Sequence, residues 1–206
     1  MLVVIGVIAL VLIGGAIILV NANNNRVLAP IVANNDPAPA NAEANGRAWG
    51  PKDAPIKIVE WLDYQCPACK AFANTYEKSI QTAFAGTGKV RYEIRSMSFI
   101  GDESVRAAQA SMCAADQNLF WQMHSSLYLN QPQTERSGEW SNDRLKAIAA
   151  QITGMDTAAF NSCLDSGKHA QEVSAEQALG PNSGVQATPT FIINGKLYTN
   201  LLKPED

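Results

Sequence analysis

Residues 55–72, PIKIVEWLDYQCPACKAF, run a nearly continuous apolar, β-favouring stretch straight into a helix-forming one. A strand that is apolar on both faces belongs inside a sheet covered on both sides, which a parallel βαβ arrangement supplies and a one-sided antiparallel sheet does not. Pro67 stands at the expected first helical position, and Phe72, Tyr76, Ile80 and Phe84 follow at helical spacing. Val90, Tyr92 and Ile94 then alternate with Arg91, Glu93 and Arg95, as a second strand would. Strand, helix and parallel strand predict an α/β fold.

Beyond residue 101 the period changes. Val105, Ala108, Met112, Ala115, Leu119 and Met123 recur at helical spacing, and shorter helices are expected around 143–151, 157–164 and 169–179. A helical block over about 102–180 therefore sits between strands. Asn194-Gly195 separates two short apolar runs, a strong hairpin signal. Pro204, Glu205 and Asp206 read as the first turn of one more helix, as though the C-terminus were cut short.

The other end sets the compartment. Residues 1–20 carry no charge, and about 20 apolar residues in a helix cover the roughly 30 Å of a bilayer core. A membrane anchor is expected, with an export signal cleaved after Val20-Asn21-Ala22 as the alternative. Residues 21–49, mostly Asn, Ala and Pro with few large apolar side chains, read as a flexible tether. A single domain over 50–206 remains. The net charge of −3 comes from interspersed acids and bases, which excludes the basic face of a nucleic-acid binder.

The chain has four cysteines, two of them as Cys66-Pro67-Ala68-Cys69. Structural zinc calls for four ligands, and one pair with two separated histidines, His124 and His169, supplies them poorly. Covalent haem needs a histidine after the second cysteine, where Lys70 stands. A disulfide between them closes too short a loop to stabilise much. Reactivity is the better account. Cys66 lies at a helix N-terminus, where unpaired N–H groups favour a negative sulfur by up to about 2 kcal/mol, or about one and a half pKa units against a free thiol near about 8.5. Cys69, one turn inside, is the natural resolving thiol.

Residues 50–66, GPKDAPIKIVEWLDYQC, with CPAC, the helical block and GVQATPTFIING, resemble the DsbA-like thiol-disulfide oxidoreductases, particularly their membrane-tethered bacterial branch. The resemblance covers nearly all of 50–200 and implies a thioredoxin fold with a helical insertion. It implies a cis bond between Thr188 and Pro189 facing the two cysteines, so that the Thr188 backbone pairs with an incoming peptide; the alternative is an ordinary proline at the start of a strand. It assigns Glu60 the acid of the first strand, with a raised pKa that lets it shuttle the Cys69 proton, unless it is a partly exposed glutamate at a strand edge. The strongest oxidants of that family have His where Ala68 stands, which implies a less oxidising disulfide here.

The expected activity is exchange of a Cys66-Cys69 disulfide with cysteines of unfolded or reduced exported proteins. No cofactor is required, and the resemblance implies reoxidation by a DsbB-like or vitamin-K-epoxide-reductase-like quinone reductase in the membrane. Reductase or isomerase activity, or a tethered binding module with a structural C-x-x-C, are the rivals. Asp63, Tyr64 and Gln65 are expected to shape the rim of the site. Cys113 and Cys163 are expected to form a structural disulfide, two buried free thiols being the alternative. His124 reads as a packed helix residue.

Overall fold

The computed structural model describes residues 29–199. The expected anchor at 1–20 and the start of a last helix at 204–206 lie outside the described residues. Among the described residues, no helix is long and apolar enough to cross a membrane.

The expected βαβ unit is present as β2 (Ile56–Leu62), a helical run from Pro67 to Phe84, and β3 (Val90–Ser96), with β2 and β3 parallel in register from Ile56 opposite Val90 to Leu62 opposite Ser96. A two-residue strand, β1 (Ala48–Trp49), pairs antiparallel with β3. The C-terminal hairpin, β4 (Thr190–Ile193) and β5 (Lys196–Thr199), adds to the other side of β2. The sheet order is β1-β3-β2-β4-β5, so the strand leading to the cysteines is the central one. Asn194 and Gly195 both adopt positive φ, +48° and +83°, as the tight turn of this hairpin requires.

β2 is not buried along its whole length. Ile56 and Lys57 are exposed and only Glu60, Trp61 and Leu62, at the end that leads to the cysteines, are buried. β3 alternates as expected, with Val90, Tyr92, Ile94 and Ser96 buried. Leu62, Tyr92 and Ile94 share a core with the insertion residues Met112, Phe120, Met123 and Leu127. A smaller cluster of Trp61, Met97 and Val185 fills another part of the interior.

The helical run after Cys66 is three segments end to end: α1 (Pro67–Phe72), a π-helical turn (Ala73–Glu77) and α2 (Lys78–Phe84). The extra residue in the π turn rotates everything after it. Glu77 is therefore buried, and Phe84, placed on the inner face by its spacing, is 39% exposed.

The insertion consists of α3 (Asp102–Ala115), α4 (Phe120–Leu129), α5 (Asn142–Ala149), α6 (Thr157–Ser166) and α7 (Ala170–Asn182). The periodicity through Leu119 and Met123 predicts one long helix, but the chain breaks between α3 and α4, where Asn118 takes φ +62°. Asparagine tolerates the left-handed region better than most residues, and that permits the turn.

The tether expected over 21–49 is the main departure. From Ile31 onward this segment lies on the domain: Ile31, Ala33, Ala38 and Ala42 pack against the core. The Asn130 side chain exchanges hydrogen bonds with both backbone groups of Val32, and Asn34 N–H donates to Ser126 Oγ at 2.8 Å. The small apolar residues and asparagines that made the composition look disordered are those a chain needs to lie flat on a helical surface. At the end of this segment Gly50 has φ +84°, and a Cβ there would stand 2.0 Å from the Val90 carbonyl oxygen. Only glycine fits that crossing.

Candidate active site

Cys66 occupies the position ahead of Pro67, with extended backbone, at the end of the central strand. Its sulfur faces the Thr188 carbonyl oxygen at 3.3 Å, beside the cis Thr188-Pro189 peptide bond. The two halves of the sequence motif, CPAC and TP, thus meet across the gap between α1 and the start of β4. Both Cys66 and Cys69 are free thiols, 8% and 0% exposed.

The two sulfurs are electrostatically unlike. The Cys66 thiol is lowered to about 6, chiefly by a hydrogen bond from the Cys69 thiol; burial opposes this, and Thr188 and the N–H groups of Cys69 and Ala68 assist it. The open helix end contributes as its position suggests, but less than the neighbouring sulfur does. Cys69 is pushed well above its ordinary range, first by burial and then by Cys66 itself. One sulfur is built to carry charge near neutrality and the other to hold a proton.

Glu60 lies on β2, the strand that leads to Cys66, paired between β3 and β4 and 1% exposed, so it is central and not at an edge. Burial, and then the charge of Glu77, push its carboxyl up to about 8, against the pull of a hydrogen bond from the Tyr92 hydroxyl. A carboxyl in that range is an acid at neutral pH and can exchange a proton with a thiol.

Asp63 and Gln65 are not rim residues. Asp63 is fully buried, and its oxygens accept from Gln65 N–H at 2.8 Å and Ile100 N–H at 3.0 Å, tying the strand-to-helix corner to the loop after β3. Gln65 Nε2 donates to Ser104 Oγ on α3 at 2.8 Å, and Gln131 Nε2 donates to the carbonyls of Tyr64 and Cys66 at 2.7 and 3.0 Å. The insertion therefore holds the corner on which Cys66 sits. Gln131 gives no sequence signal, since it follows α4 and reaches the site only through the fold.

Glu77 and His124 were also out of reach of spacing arguments. His124 is packed, as its position suggests, but it also joins Tyr64 hydroxyl at Nδ1, 3.1 Å, to Glu77 at Nε2, 2.9 Å. Cys113 and Cys163 are joined by a disulfide that links α3 to α6. Among the described residues, the cluster of potential metal ligands is Cys113, Cys163 and His169, and its two sulfurs are spent on each other.

Residues 42–206 match the family model described as Thioredoxin, and the chain belongs to that family. It is 34% identical over 154 residues to disulfide bond formation protein D of Bacillus subtilis, a match spanning 73% of this chain and 68% of that protein. The crystal structure of oxidised BdbD from Bacillus subtilis superposes with a TM-score of 0.68 at 30% identity, over 81% of this chain and 91% of that one. Chlamydia trachomatis DsbA gives a TM-score of 0.62 at 22% identity, over 79% of this chain and 88% of that one, a likeness of fold. The chain is homologous to the disulfide bond formation proteins of the family, with a helical insertion in a thioredoxin fold.

Proposed function

We propose that this thioredoxin-family chain is a thiol-disulfide oxidoreductase that introduces disulfides into reduced, exported proteins. The observation that carries the reading is the inequality of its two thiols: Cys66 is lowered to about 6 and Cys69 raised well above its usual range. A substrate thiolate attacks Cys66 sulfur of the Cys66-Cys69 disulfide, and Cys69 leaves as a thiolate that takes up a proton. A second substrate thiolate then attacks the substrate sulfur of the mixed disulfide, and Cys66 leaves as its stabilised thiolate. The substrate loses two electrons and the protein holds them as a dithiol. The lower the pKa of the leaving Cys66, the more favourable that last step.

The Thr188 carbonyl beside Cys66 supports a role in pairing with the substrate backbone, and Glu60 supports a role as proton donor to Cys69. The Cys113-Cys163 pair is read as structural. Reoxidation of the dithiol falls to a quinone-linked membrane protein of the DsbB-like or vitamin-K-epoxide-reductase-like kind, as the family resemblance suggests. The uncharged run at 1–20 supports a single-pass anchor, or an export signal, with the domain held outside the cytoplasm.

Equilibration of the Cys66-Cys69 pair against a glutathione series tests the direction. A potential well above the about −270 mV of thioredoxin supports oxidation, and one at or below it makes the protein a reductase or isomerase. Cys66→Ala should abolish oxidative refolding of a reduced test protein; unchanged activity would leave only a binding module.

A further inference from the structure

Three helix ends meet at the second cysteine pair. Cys113 lies in the last turn of α3 and Asp116 caps that helix; Cys163 lies in the last turn of α6, and His169 stands just ahead of α7. Asp116 follows Cys113 by three residues, which puts both on one face of the helix end. Gly167 takes φ +62° after α6, and the chain turns there so that His169 reaches the end of α3.

The donor atoms already stand close together. Cys113 Sγ, Cys163 Sγ and a ring nitrogen of His169 lie within 4.8 Å of one another. Asp116 Oδ2 adds a fourth donor, 3.6 Å from Cys163 Sγ and 3.0 Å from His169 Nε2. Zinc bonds of about 2.0–2.3 Å in a tetrahedron set neighbouring ligand atoms about 3.3–3.8 Å apart, so these spacings need to change by only a few tenths of an ångström. On the other side of the imidazole, Nδ1 meets Glu172 Oε2 at 3.0 Å, and Glu172 Oε1 is in turn paired with Arg47 at 3.3 Å. A carboxylate behind a histidine fixes the ring and its tautomer in metal sites, which leaves Nε2 to ligate. Two thiolates with an imidazole select zinc over calcium or magnesium, which take oxygen ligands.

Two groups hold these donors at present. The disulfide joins the sulfurs, and Lys168 Nζ lies 2.8 Å from Asp116 Oδ2. The Lys168 side chain is 56% exposed, so it can swing into solvent when another cation takes its place. A cavity of about 390 Å³, lined in part by Cys113, Cys163, Asp116 and Lys168, gives a reductant and an ion the same path to the pair.

We propose that Cys113, Cys163, His169 and Asp116 form a zinc site when the second disulfide is reduced, so that the junction of α3, α6 and α7 is tied by the ion in the dithiol state and by the disulfide in the oxidised one. The reductant is a dithiol: its two sulfurs give up two electrons and become a disulfide, and its two protons pass to Cys113 and Cys163. Zinc then displaces both protons to water and is held by two thiolates, Nε2 and Oδ2, with its own charge unchanged. The site is independent of exchange at Cys66.

The test uses the full-length chain carrying Cys66→Ser and Cys69→Ser, so that only the second pair supplies thiols, with cobalt(II) as the spectroscopic stand-in for zinc. After reduction and removal of the reductant without air, one equivalent of cobalt should give a thiolate-to-cobalt band in the near ultraviolet and visible bands of tetrahedral intensity, and zinc should bleach them. The oxidised chain should give neither. Glu172→Gln should weaken zinc binding about 10-fold or more and His169→Ala further still, while Lys168→Ala, which removes the competing ammonium, should tighten it. Absence of the thiolate band in the reduced chain, or equal affinity with and without His169, overturns the proposal. Should reduction alone unfold the chain, one equivalent of zinc should restore its helical circular dichroism, and should fail to do so in His169→Ala; no recovery overturns the proposal equally.

Discussion

The sulfur of Cys66 and the carbonyl oxygen of Thr188 stand 3.3 Å apart across 122 residues of sequence. A backbone acceptor that close to the reactive sulfur places the first bond a substrate peptide could make to the protein next to the bond it would exchange.

The Cys66 thiolate depends first on Cys69, so Cys69→Ala should raise the Cys66 pKa from about 6 back toward the ordinary range. Alkylation of wild-type Cys66 should reach half its maximal rate near pH 6, and at pH 7 the variant should react roughly tenfold more slowly. An unchanged profile in Cys69→Ala would show that the helix end alone holds the charge.

Measured against the oxidised form, which shares every other titrating group outside the pair, the reduced protein should gain stability as pH rises from about 6 toward 9, because an acid whose folded pKa is depressed contributes above its unfolded value and loses that contribution as pH falls through the folded one. The oxidised form has no such thiol to titrate. Urea denaturation of both forms at pH 5.5 and 8.5 reads the difference directly.

Glu60 works the other way. Its folded pKa is raised to about 8 from 4.5, so the fold is favoured below the lower value and penalised progressively as pH climbs through the higher one. Glu60→Gln, neutral at every pH, should therefore gain on the wild type by on the order of 2–5 kcal/mol between pH 4 and 9 in denaturant midpoints, while slowing disulfide opening. A constant stability difference across that range would mean that Glu60 is not an acid at neutral pH.

Replacing both Cys113 and Cys163 by alanine removes a cross-link across 50 residues of sequence and should cost up to about 4 kcal/mol in thermal or chemical unfolding. Thiol exchange at Cys66 in the folded variant should persist, since the site corner is held by Asp63, Gln65 and Gln131. Loss of exchange in a folded protein would give the second disulfide a redox role.

Gly50→Ala should be among the costly single changes, since its Cβ would meet the Val90 carbonyl oxygen at 2.0 Å and its φ is +84°. A loss of about 2 kcal/mol or more in denaturant unfolding is expected, with the Cys66 titration unchanged.

Short-range patterns are legible in the amino-acid sequence itself. The parallel strands, the Asn194-Gly195 hairpin and the placement of Cys66 ahead of Pro67 follow from signals a few residues long. What escapes is settled at long range or by a single inserted residue. No spacing announces the π turn, and without it Glu77 falls on the wrong face of the helix; His124 then has no visible partner 47 residues away. The segment from Ile31 looks unstructured by composition because its partners, Asn130 and Ser126, lie more than 90 residues downstream. Asp63 and Gln65 can be located but not assigned, since their bonds run to loops that the strand-and-helix pattern leaves unplaced.

The central position of β2 has a consequence for synthesis. A ribosome finishes β2 and β3 long before β4, so the nascent polypeptide displays its nucleophile while the opposing loop is still untranslated. Translation stopped ahead of Thr190 would leave β2 bare along the flank that β4 covers. Such a fragment would offer an edge for aggregation, and the Thr188 carbonyl would not yet stand beside the Cys66 sulfur.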